Sequence, residues 1–405
     1  MLPESSIDPL PHEWMGAASS RVLLGLDARP DFICEQIDPP VDLRDRDNLP
    51  DVGKRLGKVG PREYRRLKLE KLAVAESLKD AGRDEDAGLL RNCCTSLIID
   101  KYEKGRRVRG PNECKHALCP TAQLARQRRT YRRVAKALER YLRRKEGMVG
   151  IMLTTTMESC PSHELRYRTG QLIEACSRLM TFAPVKRAVA AYVRIIEFTR
   201  NAVTQLWHPH AHYCLVVPKS YLAKGSKTFI DHDGWGKLFR KALRCAYTPV
   251  VDVRVAKGVS SPLTEAGLKT LREIVKYTTK PGTLVYWDSG MPYAVGRQRP
   301  ELYRKAKGAP LEPMFNVPVM ALADAVKGRR LVALSRNLEA DEELDFTDDP
   351  RGDELDQTTG DLGAFICTEF YEWRGRGRHA DYFLVGRSFD EPGQRKRKEG
   401  FAMGP

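Results

Sequence analysis

Residues 206–217 read LWHPHAHYCLVV. Imidazoles occupy every second position from His208 to His212, and the run passes directly into β-favouring apolar residues, so the spacing predicts a strand. On a strand, side chains two residues apart share a face, so His208, His210 and His212 project together. Three of the chain's eight histidines stand here. Two imidazoles held that close on a rigid strand can share a divalent cation, although histidines that bind no metal produce the same pattern.

The neighbouring segments set the strand in an order. MVGIMLTTTM (148–157) predicts a strand, HELRYRTGQLIEACSRLMTF (163–182) a helix and AAYVRIIEFTRN (190–201) a strand. After the histidine strand, GWGKLFRKALRCA (234–246) predicts a helix, TPVVDVRVAK (248–257) a strand and LTEAGLKTLREIVKYTTK (263–280) a helix. The order β-α-β-β-α-β-α makes the chain α+β, with an antiparallel sheet and helices on one face in the ferredoxin-like manner.

Around this core, from 147 to 285, the chain divides by composition. Residues 1–60 are rich in Pro, Asp and Gly without sustained periodicity and are expected to form an unstructured leader. Residues 61–146 form a helical, cysteine-containing and basic extension, with one helix over 61–82 and another over 124–146. The second of these carries ten Lys or Arg against two Glu, which suits either a solvated surface or a face that tracks phosphates. Residues 286–390 form a C-terminal part that includes an acidic solvated loop (339–356) and two strands flanking a basic turn with Arg374, Arg376 and Arg378. A cationic tail, 391–405, contains RKRK.

Charge selects the partner class. The 69 Lys and Arg exceed the 53 Asp and Glu, leaving a net charge of +16 that favours a polyanion, nucleic acid first. No run of about eighteen apolar residues predicts a membrane span, and MLPESSIDPLPHEW lacks the basic start and apolar centre of a secretion signal. A cytoplasmic location without a membrane partner is therefore expected, and the ten cysteines are expected to be reduced thiols or metal ligands. No phosphate-binding loop of the G-x-x-x-x-G-K-[ST] type is present, which argues against ATP hydrolysis.

Two further features point to phosphodiester chemistry. Glu197 lies in the strand before the histidines, where a short hairpin would set it beside them as an oxygen ligand, and mixed His and carboxylate ligation suits Mg²⁺ or Mn²⁺ acting on a phosphate. Glu273 and Tyr277 stand four apart on a predicted helix and so share a face, flanked by Lys276 and Lys280. A phenol with an ordinary pKa near 10 is a poor nucleophile, and a nearby cation would help it attack.

These segments resemble the HUH endonucleases, and among them the plasmid rolling-circle replication initiators of the Rep_1 type, across residues 65–385. GIMLTTT resembles the family's first strand motif, WHPHAHYCLVVPKSYL its histidine motif and EIVKYTTK its Glu-x-x-x-Tyr nucleophile motif; ALADAVKGRRLVALS and EFYEWRGRGRHADYFLVG resemble segments that follow. The resemblance implies an HUH fold in which His210 and His212 bind the divalent ion and Glu197 or His208 completes the site. It implies that Tyr277 attacks the scissile phosphate of a single-stranded or extruded origin, leaving a 5′-phosphotyrosyl link and a 3′-OH that primes synthesis. Glu273 would serve as general base for water at termination, and a host helicase and DNA polymerase would supply the remaining steps.

The cysteine segment resembles the family's N-terminal C…CxxxxCP pattern, but Ala122 stands where a further cysteine is common. Cys94, Cys114 and Cys119, with Cys93 or His116 as fourth ligand, would then form a Zn²⁺ set. Arg128, Arg129, Arg132 and Arg133 on the basic helix, the three arginines of the C-terminal turn, Lys276 and Lys280 are the expected DNA contacts. A transposase or mobilisation relaxase of the same chemistry would differ only in its DNA substrate. A non-catalytic DNA-binding protein would use the cysteine segment and the basic helix alone.

Overall fold

The computed structural model describes residues 35–42, 61–108, 112–201, 203–275, 284–288, 291–294, 317–339, 362–375 and 380–390. In chain order the elements are β1 (Glu35–Asp42), α1 (Pro61–Asp80), α2 (Asp84–Asn92), β2 (Ser96–Tyr102), β3 (Gly105–Val108) and α3 (Pro120–Arg144). Next come β4 (Met148–Thr156), α4 (Leu165–Leu179), α5 (Ala183–Ala188), β5 (Ala191–Arg200), β6 (Trp207–Pro218), α6 (His232–Leu243), β7 (Val250–Ser260) and α7 (Glu265–Ile274). The chain continues through β8 (Val285–Asp288), β9 (Met291–Ala294), α8 (Val317–Val326), β10 (Val332–Leu334), α9 (Arg336–Glu339), β11 (Phe365–Arg374) and β12 (Asp381–Ser388). No helix among the described residues is long and apolar enough to cross a membrane.

The chain forms two compact units, one from residues 1–62, 93–113 and 354–405, the other from 63–92 and 114–353. The first holds a five-stranded antiparallel sheet in the order β1-β12-β11-β2-β3. Part of the expected leader is thus a strand, because 35–42 pairs with β12. Inside this unit the Thr368 hydroxyl donates to Asp100 at 2.8 Å, the Tyr371 hydroxyl donates to Glu369 at 2.8 Å, and the Tyr382 hydroxyl donates to the Cys94 carbonyl at 2.7 Å. Hydrogen bonds of this kind let charged residues sit inside a sheet.

In the second unit the sheet order is β10-β5-β6-β4-β7, all antiparallel. The strands from 148 to 260 follow the predicted order, but the sheet is covered on both faces, which corrects the expectation of helices on one. Trp207, Ala211, Tyr213, Leu215 and Val217 of β6 join one core with residues of α4, α6 and α8. Cys214 and Val216, on the alternate face, join a second core with Val134, Ala137, Leu138, Tyr141 and Leu142 of α3 and Leu271 and Ile274 of α7. The basic helix is therefore amphipathic. Its apolar residues recur at three and four and face the sheet, while Arg128, Arg129, Arg132, Arg133, Lys136, Arg140 and Arg143 fall on the other side of the helix.

α7 is docked through its N-terminus. The β4 partner shifts from Ser260 to Val255 between Val149 and Ile151, so β7 bulges, and Gly258 takes φ +74 there. The Gly258 carbonyl accepts from Thr264 N at 3.1 Å and from Thr264 Oγ1 at 3.0 Å, while Thr264 Oγ1 caps the helix by accepting from Gly267 N at 3.2 Å. The Thr270 hydroxyl donates to the Lys257 carbonyl at 2.9 Å. A Cβ on Gly267 would lie 2.2 Å from the Gly258 oxygen, a separation that backbone against backbone cannot relieve cheaply. Gly267→Ala should therefore lower stability by about 1–3 kcal/mol, read from the urea midpoint, whereas Gly82→Ala tests strain from positive φ with open space around it.

Candidate active site

Register brings the candidate ligands together. On β6, His210 lies opposite Glu197 of β5 and Thr156 of β4, and His212 lies opposite Ile195 and Thr154. Directly paired residues point to the same face, so Glu197, His210, His212 and Thr154 share one surface with His208. Glu197 Oε2 stands 3.0 Å from His212 Nε2 and 3.3 Å from His210 Nε2. Glu197 and His210 are buried, and His212 is partly exposed.

The rings are held from behind. His210 Nδ1 lies 3.0 Å from the His208 carbonyl, which can only accept, so Nδ1 carries a hydrogen and the neutral ring keeps its lone pair on Nε2. Thr154 Oγ1 stands 3.1 Å from His212 Nδ1 and can accept in the same way. Both Nε2 lone pairs would then point at one carboxylate oxygen. That arrangement is repulsive among the three groups alone and attractive around a shared cation.

The distances suit such a cation. Two ligand atoms each about 2.1 Å from one ion, at about a right angle, stand about 3.0 Å apart. One ligand atom from each of Glu197, His210 and His212 lies within 4.8 Å of the others. Second contacts of the kind made by Thr154 and the His208 carbonyl orient metal-bound imidazoles in general.

His208 stands outside this group. Its Nδ1 is 3.0 Å from Ser159 Oγ, its ring centroid is 5.7 Å from that of His210, and burial together with the neighbouring His210 lowers its pKa. Of the two residues that the sequence left open as the third ligand, Glu197 is the one that meets His210 and His212. Cys214, the next residue on this face, is a buried thiol whose pKa is pushed up to about 12 by burial, so it stays protonated.

The remaining candidates distribute as follows. Glu273 is exposed near the end of α7. Its neighbour Arg272 lies over the Tyr131 ring of α3 at 5.2 Å, which ties the two helices together beside Arg128 and Arg132. Tyr277, Lys276 and Lys280, with Arg376 and Arg378, lie outside the described residues. Arg374 is paired with Glu372 at 3.0 Å.

Among the cysteines, Cys114 and Cys119 of the second unit offer sulfurs within 4.8 Å of each other. In the first unit Cys94 has φ +54 and its sulfur lies 3.6 Å from that of Cys93. His116 instead faces Asp86 at 3.4 Å and accepts from Leu118 N at 3.2 Å. Cys119 also caps α3, accepting from Ala122 N at 3.5 Å.

Sequence reasoning missed Thr154 and Ser159, whose partners depend on strand register. The threonine run TTT beside a histidine strand is the signal that was available.

Comparison with known proteins adds a family to this geometry. The Rep_1 family, described as replication protein, matches residues 105–383, well over half of the 405 residues. Protein rep of Streptococcus pneumoniae serotype 2 is 28% identical over 246 residues, which cover 60% of this chain and 75% of that protein. Protein rep of a Bacillus species is 30% identical over 183 residues (42% and 58%), and that of Staphylococcus aureus 25% over 194 residues (47% and 81%). No solved structure matches the chain. The matched span holds Glu197, the histidine strand and α7, and the chain belongs to the Rep_1 family of replication proteins.

Proposed function

We propose that this replication protein nicks and rejoins one DNA strand at a plasmid origin by metal-assisted tyrosine transesterification, and so starts and ends rolling-circle synthesis. The observation that carries the reading is the convergence of Glu197 Oε2 with the Nε2 atoms of His210 and His212 on a sheet face that α7 shares. Glu197, His210 and His212 would hold Mg²⁺ or Mn²⁺, whose positive charge would stabilise the phosphoryl oxygen of the scissile bond. The names of the relatives favour replication over transposition or mobilisation as the use of this chemistry.

The chain's own residues do the rest. Tyr277 follows Val275, the last described residue after α7, by two positions. Its phenol oxygen attacks phosphorus, the bond to the 3′-oxygen breaks, and the leaving oxygen takes up a proton to become the 3′-OH primer. The broken ester is replaced by a phosphotyrosyl ester, so resealing needs no nucleotide. Glu273 acts at termination as general base for a water molecule that takes the place of a second phenol.

Arg128, Arg129, Arg132 and Arg133 guide the DNA backbone toward this face, and Lys276 and Lys280 add phosphate contacts. Arg374, Arg376 and Arg378 add contacts from the C-terminal turn. The cysteine segment, with Cys114, Cys119 and Cys93 or Cys94, would supply thiolate ligands for a Zn²⁺ ion. Helicase and polymerase activities come from the host.

The direct test is a denaturing gel of the protein with an end-labelled origin oligonucleotide and Mn²⁺. A covalent protein–DNA band is expected for the wild type and absent for Tyr277→Phe and for the His210→Ala, His212→Ala double variant. Persistence of the band in Tyr277→Phe would overturn the assignment of the nucleophile. Binding without any covalent product would favour a DNA-binding protein that does no chemistry.

Thr154 offers a finer test. Loss of its hydroxyl in Thr154→Val should weaken Mn²⁺ binding by about 10–100-fold, read by calorimetry, while Thr154→Ser stays close to wild type. Nitrogen NMR of the metal-free protein should at the same time report a changed His212 tautomer in the valine variant and an unchanged one in the serine variant.

A further inference from the structure

At the end of β5 far from Glu197, the second unit contains a cavity of about 180 Å³. It is lined by Met180, Val189 and Tyr192 among others, together with Lys186, Ser335 and Arg336. Tyr192 precedes Glu197 by five residues, which is about 16 Å along a strand, and an odd offset points it to the opposite face. The cavity is therefore separate from the histidine site.

Its rim is built rather than loose. Ser335 N donates to the Tyr192 carbonyl at 2.8 Å, and Tyr192 N donates to Ser335 Oγ at 3.1 Å. The Asn337 side-chain amide donates to the Ala190 carbonyl at 2.8 Å. Because Ser335 Oγ accepts from the backbone, its own hydroxyl hydrogen is left to donate.

Charge points to the ligand. The two stretches of chain that line the cavity, 180–192 and 335–337, contain Lys186, Arg187 and Arg336 and no Asp or Glu. Lys186 and Arg336 are both exposed. Two cations and a hydroxyl beside an apolar wall match a phosphate ester with an apolar body. The volume is below the roughly 300–1,000 Å³ of a typical small-molecule or cofactor site, and suits a single nucleotide moiety.

We propose that this cavity seats one nucleotide unit of a nucleic acid strand, with its phosphate between Lys186, Arg336 and the Ser335 hydroxyl and its sugar or base against Met180, Val189 and Tyr192. A free mononucleotide offers the same chemistry. The site concerns binding alone and stands whether or not the chain nicks DNA.

The test uses the full chain and a single-stranded oligonucleotide, with affinity followed by fluorescence anisotropy across a salt series. Each phosphate contact contributes about 0.7 to the slope of log affinity against log salt on a single strand. Lys186→Ala combined with Arg336→Ala should lower affinity and reduce that slope by about 0.7. Lys186→Arg combined with Arg336→Lys should keep the wild-type slope, and nicking at saturating oligonucleotide should be the same in all three proteins.

A second arm titrates thymidine 5′-monophosphate into protein carrying methyl-labelled methionine. A shift of the Met180 methyl that the alanine pair abolishes, with the strand slope unchanged, would assign the cavity to a free nucleotide. An unchanged slope together with no Met180 shift would overturn the proposal. Loss of nicking in the wild type would bear on the catalytic reading and leave both of these measurements intact.

Discussion

Two-sided burial of β6 fixes its register, and with it the position of every ligand. Trp207, Ala211, Tyr213, Leu215 and Val217 face one core, while His208, His210 and His212 lead on the other face into buried Cys214 and Val216. A slip of one residue would turn the imidazoles into the apolar layer and the tryptophan out of it, so register is specified by burial on both sides. The pairing of Glu197 with His210 then follows from the hairpin between β5 and β6. Candidate ligands carried on two adjacent strands have little freedom to drift, which is the support that a metal centre needs.

That rigidity has an electrostatic counterpart. A carboxylate as buried as Glu197 loses hydration. A shared cation would offset that desolvation. The same sheet sets the direction of α7, which begins against the Gly258 bulge and sends Leu271, Ile274 and Val275 into the core that contains Cys214. Helix and histidines thus share one face, and the glycine contact at the helix N-terminus determines where its far end points.

The central strands and helices were legible because each carries its own periodicity: alternation in 148–157, 190–201 and 206–217, and helical spacing in 163–182 and 263–274. What escaped was set by partners distant in the chain. β2 pairs with β11 across more than 260 residues, and no local pattern announces it. β1 carries Pro39 and Pro40, which argue against a strand, yet it lies at a sheet edge and both prolines fall in the register break between Gln36 and Val41. In α3 nine cations obscured a narrow apolar stripe, and with it the second covered face of the sheet. Cys93 and Cys94 are indistinguishable in a sequence; the positive φ of Cys94 is a property of the folded turn. Choosing Glu197 over His208 required the strand register, which the sequence alone leaves open.

Chemistry and affinity are carried by different parts of this sheet. The three-residue group is acidic and imidazole in character and is held at one end of β5, whereas the acid-free stretches around Lys186 and Arg336 lie at the other end. Phosphate contacts of the second kind fix how long and in what register a strand stays on a protein, and carry little information about which bond is broken. On the proposed reading, the protein holds a strand through two transfer events while only one phosphate reacts at a time. Positive charge placed away from the buried carboxylate would then let the grip on DNA change with salt without disturbing the geometry of Glu197, His210 and His212.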